Sequence, residues 1–222
     1  MRQVIVIDTE TTGFEAATNS LVEFAAVIDE HWYHSLVKPT TPISFGAMAT
    51  HHITPDMVED APPLDDVISN FVSPEDDVVL VAHNAGFDMS FMPEWLRAKD
   101  WICTWRCALH IYPDAESHSN QSLRYELGLD VSDLPPEAGG MAHRALYDAW
   151  VTAKLYARIV ADSGKSVAEL VELTKAPVLQ KKVRFGKHAN QLWSEVPKDY
   201  LRWVLRQDFD RDVLHTAEFH LR

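Results

Sequence analysis

The sequence predicts an α/β protein in which a mixed sheet is covered by helices on both faces and followed by a small α+β appendage. Three observations point there. Three strand-like segments come before any helix, and short turns join them as in an antiparallel meander. After them strands alternate with helices, the pattern of parallel pairing. Near residue 175 the charge balance changes sign: residues 1–174 hold 10 Lys/Arg against 27 Asp/Glu, net −17, whereas residues 175–222 hold 10 against 6, net +4. The division expected is therefore 1–174 for the main domain and 175–222 for a small basic module.

Strands are expected at residues 3–7, 21–29 and 31–37, where β-branched and aromatic residues dominate. Residues 61–72 read as a helix. The apolar run at residues 78–82 reads as a buried strand. Helical patterns follow at 89–98, 106–111 and 122–127, with a short strand at 101–104. The longest helix is expected over 142–160, where Ala145, Leu146, Ala149, Ala153 and Tyr156 recur at three- and four-residue steps. Residues 167–173 close the main domain as a small helix. In the module a strand at 181–185, a turn at 186–190 and a helix from Pro197 are expected, with Tyr200, Leu201, Val204 and Leu205 inward. A piece this short lies near the limit for folding alone and should dock on the main domain.

Composition narrows the class. With 46% hydrophobic residues the chain can bury a core, and no stretch approaches the ~20 apolar residues of a membrane span. The opening MRQVIVID is strand-like and lacks the layout of a signal peptide, so a soluble, cytoplasmic protein without membrane association is expected. Its net charge of −13 argues against coating nucleic acid through the overall field. Cys103 and Cys107 are too few for a disulfide framework. A zinc site of Cys103, Cys107 and His110 lacks an evident fourth ligand, and core packing is the simpler reading.

The stretch VIVIDTETTG carries the first chemical signal. Asp8 and Glu10 sit two apart at the end of an apolar strand, so both project from one face. Two buried anions aimed at one point call for a cation. A second signal is VVLVAHNAGFD, where a buried strand ends at His83 and Asn84 and leads to Asp88 at a helix start, a position that also suits an N-cap. The third is GGMAHRALYDAW. His143 and Asp148 are five apart and cannot share a helical face, which puts His143 on the loop freed by Gly139 and Gly140 and Asp148 within the helix. Arg144 offers Asp148 a salt bridge as the plain alternative. Three segments each delivering a carboxylate to a strand end or inner helix face suit hard divalent ions, magnesium or manganese.

Taken together, Asp8-Thr-Glu10-Thr-Thr-Gly13, His83-Asn-Ala-Gly-Phe-Asp88 and His143 with Asp148 five later resemble the DEDD exonucleases of the histidine subtype, over about residues 1–165. The resemblance implies a ribonuclease H-like fold and removal of nucleotides from 3′ ends. It implies that Asp8, Glu10, Asp88 and Asp148 hold two divalent ions, Mg2+ with Mn2+ able to substitute, and that His143 is the general base. Thr11, Thr12 and the backbone near Gly13 would hold the terminal nucleotide, Phe14 would stack on a base, and Asn84 would belong to the substrate site. His51 matches a position near the scissile phosphate, its plain alternative being a surface turn histidine.

The function expected is a DNA 3′-to-5′ exonuclease releasing nucleoside 5′-monophosphates. An RNA 3′-end trimming enzyme and a polymerase-associated proofreading subunit are the alternatives, the basic module serving the last as a protein-docking element. A non-catalytic binding module is disfavoured because every carboxylate and His143 is present. Lys181, Lys182, Arg184, Lys187, Arg202 and Arg206 could bring nucleic acid to an acidic main domain, with Trp193 or Trp203 stacking on bases if exposed. Trp32, Trp95 and Trp150 read as packing.

Overall fold

The structure, a computed structural model, describes residues 2–29 and 31–222. β1 (Gln3–Thr11), β2 (Leu21–Ile28) and β3 (His31–Leu36) form the antiparallel meander; β4 (Val78–Ala82) pairs parallel to β1 and β5 (Asp100–Cys103) parallel to β4, in the order β3-β2-β1-β4-β5. The mixed sheet predicted from the sequence is therefore present, with its direction changing at β1.

Alternation along β1 decides both layers. Ile5 and Ile7 pack with Phe24, Leu80 and Leu96 on one face. Val6 turns to the other, against Leu146, Ala149, Leu155 and Ile159 of the long helix. Both faces are covered, which explains why β4 is apolar at every position.

The helices are α1 (Phe45–His51), α2 (Pro55–Val58), α3 (Leu64–Ser69), α4 (Gly86–Phe91), α5 (Glu94–Arg97), α6 (Thr104–Ile111), α7 (Asn120–Glu126), α8 (Ala145–Ser163), α9 (Val167–Lys175), α10 (Lys198–Val204) and α11 (Arg211–Leu221). None among the described residues is long and apolar enough to cross a membrane. The helix expected at 89–98 is two, because Pro93 holds Met92 extended and caps α5. That expected at 61–72 shrinks to α3 behind Pro63.

The module differs more. Only a Lys182–Leu192 bridge stands where a strand was expected at 181–185, and α11 adds a helix beyond α10, so the appendage is helical in content. Its own apolar cluster gathers Val183, Trp193, Leu201, Val204 and Val213. Arg106 of α6 fastens it, donating to both Asp212 carboxylate oxygens at 2.5 and 3.0 Å and to the Ala176 carbonyl at 2.6 Å. Asp212 also accepts from the Val178 N–H at 2.9 Å.

Candidate active site

The carboxyl ends of the parallel strands β1 and β4 open into a cleft of about 700 Å3. Asp8 and Glu10 follow Val6 on the even face of β1, toward α8, and meet Asp148 from its first turn. Thr9 points the opposite way, and its hydroxyl donates at 2.8 Å to Asp88, buried in α4. Asp8, Glu10 and Asp148 thus line the cleft, while Asp88 does not line it but lies near enough to repel the charges of Asp8 and Glu10.

Their electrostatics describe a site short of positive charge. Burial, then the neighbouring anions Asp148, Asp88 and Glu10, push Asp8 well above the usual carboxylate range. Burial, then Asp148, Glu23 and Asp88, raise Glu10 to about 8, and burial raises Asp88 to about 7 against the opposing Thr9 hydrogen bond. Burial raises Asp148 as well. Anions left in this state favour either a proton or a metal ion, and the all-oxygen donor set fits a hard divalent cation.

His143 lies on the exposed loop before α8, with a left-handed backbone (φ 64°). That conformation turns its N–H onto Asp148 Oδ2 at 2.7 Å. Donor atoms of Glu10, His143 and Asp148 all lie within 4.8 Å of one another. The other Asp148 oxygen accepts from Gln121 Nε2 at 2.8 Å, while Asn120 Nδ2 donates to the Asp148 carbonyl at 3.2 Å and to Thr152 at 3.0 Å. The start of α7 therefore holds the ligand on α8 in place.

The salt bridge offered to Asp148 by Arg144 does not form. Arg144 instead forks onto Glu23 of β2, at 2.5 Å for its closest contact, and Glu23 also accepts from Ala145 N–H at 2.8 Å and His34 Nε2 at 2.7 Å. Burial works against the Glu23 charge, but these donors outweigh it and bring its pKa down to about 2. Glu23 faces Glu10 across the β1–β2 register, so it adds to the negative field of the site without joining the cleft.

Thr11, Gly13, Phe14, His51 and Asn84 line the cleft. Phe14 is 87% exposed, a free ring at the rim. At Gly13 a Cβ would lie 2.5 Å from Asn19 Oδ1, so a side chain there would require Asn19 to shift. Thr12 is corrected. Its side chain is fully buried away from the cleft, with its hydroxyl engaged to Thr41 at 2.9 Å and accepting from Ser20 N–H at 3.0 Å. His51 is no surface turn residue. It is 2% exposed, accepts from Ile53 N–H at Nδ1 (3.0 Å) and donates from Nε2 to the Thr11 carbonyl (3.2 Å), so its ring clasps β1 to the end of α1.

Thr9, Glu23, Asn120 and Gln121 were missed from sequence. Alternation could have suggested Thr9, the odd residue between two carboxylates. Trp193 is fully buried and unable to stack on a base, whereas Trp203 is 40% exposed. Cys103 and Cys107 are buried, free thiols whose pKa values burial raises, Cys107 to about 11.

Comparison with known proteins agrees with this geometry. Residues 5–156 match the exonuclease family profile (RNase_T). Exodeoxyribonuclease 10 of Escherichia coli K12 is 38% identical over 207 residues, covering 90% of this chain and 89% of that protein. A PolC-type DNA polymerase III from Bacillus subtilis is 31% identical over 72% of this chain, which spans only 12% of the polymerase. Among solved structures, exonuclease X in complex with 5′ overhanging duplex DNA superposes with a TM-score of 0.68 at 39% identity, covering 77% of this chain and 99% of that one. The nuclease domain of 3′hExo, a DEDDh family member bound to rAMP, shares the fold at a TM-score of 0.57 and 19% identity, over 72% of this chain and 92% of that one. With the profile matched across the whole cleft and a relative alike over nearly its full length, the chain belongs to the exonuclease family, of the DEDD type and histidine subtype, and is a 3′-to-5′ exonuclease.

Proposed function

We propose that the chain is a DNA exonuclease that releases nucleoside 5′-monophosphates from 3′ ends with two divalent ions, magnesium by preference and manganese as a substitute. The observation that carries the reading is the proximity of Asp8, Glu10, Asp88 and Asp148, carboxylates that burial holds above their ordinary range, with repulsion from the others adding to it at Asp8 and Glu10. Two divalent ions would balance the four charges. DNA is favoured over RNA because the relative that spans the chain is an exodeoxyribonuclease, and the 39%-identical exonuclease X was solved with duplex DNA.

Asp8, Glu10, Asp88 and Asp148 would hold the ions, with Thr9 and Gln121 fixing two of the carboxylates. When bound, such ions supply the charge that makes the phosphate electrophilic and steadies the departing 3′ oxygen. The imidazole of His143, on its exposed loop beside Glu10 and Asp148, takes a proton from the attacking water. Phe14 stacks on a base near the 3′ end, where its free ring meets the cleft.

The test uses end-labelled single-stranded DNA, duplex DNA and RNA of matched sequence, with magnesium. Asp8→Asn and Asp148→Asn are expected to abolish cleavage while the circular dichroism spectrum is kept. His143→Ala should lose roughly 10²–10⁴-fold in kcat with little change in DNA affinity. Full activity in excess chelator, or undiminished turnover by either asparagine variant, would sink the metal assignment; faster trimming of RNA would reverse the substrate.

A further inference from the structure

A second groove, of about 490 Å3, lies where the module meets the main domain. Residues 178–184 of the module form one wall and residues 113–116 with His118 form the other, over a floor that includes Trp105 and Leu109. It adjoins the catalytic cleft. His118 lines the groove while its carbonyl accepts from Nε2 of His83, a residue of the cleft, at 2.9 Å, and the next three residues, Ser119, Asn120 and Gln121, line the cleft itself. One loop therefore separates the two.

Six charged side chains line the groove, and most of the negative ones are spent internally. Asp114 is paired with Lys181 at 2.8 Å and Asp212 with Arg106 at 2.5 Å. Glu116 is the remaining carboxylate. Against it stand Lys182 and Arg184, both exposed and making no ion pair among the described residues. Both free cations come from the module, whose residues 175–222 carry net +4 beside a main domain of net −17. Beside the two cations, Leu179 is 43% exposed and Trp105 half-buried, which gives the groove an apolar strip.

We propose that this groove is a subsite for the strand of nucleic acid on the 5′ side of the cleaved end. A chain whose 3′ terminus sits in the catalytic cleft crosses the 113–118 loop, sets phosphates on Lys182 and Arg184, and lays a base against Leu179 and Trp105. The occupant follows from continuity with the cleft and from the sign of the free charge. This inference rests on the exonuclease reading above, and substrate length separates the two.

The experiment compares the full-length protein with its Lys182→Ala/Arg184→Ala double variant on two probes. One is a single-stranded DNA long enough to leave the cleft; the other is the p-nitrophenyl ester of thymidine 5′-monophosphate, which is too short. The variant is expected to show a several-fold higher KM on the long strand and a salt dependence of log kcat/KM shallower by about 1.4, the contribution of two phosphate contacts to a single strand. Its rate on the short ester should be unchanged, and Lys182→Arg/Arg184→Lys should restore the long-strand KM. Equal KM and salt slope for variant and wild type would overturn the subsite and leave the groove to a protein partner. An equal loss on both probes would overturn it too, by making these side chains supports of the fold. If the wild type hydrolyses neither probe, the exonuclease reading itself has failed.

Discussion

Glu23 is a buried carboxylate held by Arg144, Ala145 and His34, and its role can be read through acid. Its folded pKa, about 2, lies below the ordinary 4.5, so the unfolded chain binds the extra proton between those values. Its stabilisation is therefore complete above about pH 5 and lost as pH falls toward 2. The shift corresponds to on the order of 3 kcal/mol. Glu23→Gln should lower stability by about that amount at pH 7, and the gap from wild type in urea titrations should narrow as the buffer is taken from pH 5 to pH 3. A constant gap over that window would remove the ionised pair from the account. Little of this was legible beforehand. Asp8, Glu10, Asp148 and His143 announce themselves because strand alternation and a five-residue step are local. Glu23 depends on an arginine 121 residues away, Thr9 on a carboxylate 79 away, and Gln121 on one 27 away.

At the level of elements, expectations failed where proline or tertiary packing overrode pattern. Pro63 and Pro93 shortened helices that apolar periodicity had extended. α1 and α2 escaped notice because they are short, and each buries a single residue, His51 and Val58. The module's first segment alternates like a strand yet finds one bridge, since a 3-10 turn over Gly186–His188 draws the chain back toward α10. That turn is demanding. Gly186 has φ +62°, and a Cβ there would sit 2.8 Å from the Tyr200 hydroxyl. Gly186→Ala should cost about 1–2 kcal/mol from the left-handed backbone alone and loosen the module first, seen as faster proteolysis after residue 175 while the main domain persists. Unaltered cleavage kinetics would mean the turn adapts freely.

The whole molecule combines a sheet sealed on both faces with an unbalanced cluster of anions at one end of it. Without metal, Asp8, Glu10, Asp88 and Asp148 hold protons in the folded state that the unfolded chain releases near its ordinary carboxylate range. Raised carboxylate pKa values make stability fall as pH climbs from about 4 through 8. In chelator the melting temperature should therefore drop between pH 5 and pH 8, and magnesium should restore more of it at pH 8 than at pH 5, because ligands must be deprotonated to bind. A chelated protein whose melting temperature is flat or rising across that interval would contradict the cluster. The mixed sheet was foreseeable from three strands before any helix, and the docking of the module from its shortness, but the contact that fastens it was not, since the Arg106–Asp212 fork joins residues 106 apart.

Order of assembly follows from the same placement. β1 is made early, yet its parallel neighbour β4 begins 75 residues after it, and Asp148 arrives only with α8. A growing chain therefore carries Asp8 and Glu10 long before anything can complete their set, and pairing over such separations is slow to form. On the proposed ligand set, nuclease activity in this protein requires the union of distant segments and not merely the presence of secondary structure.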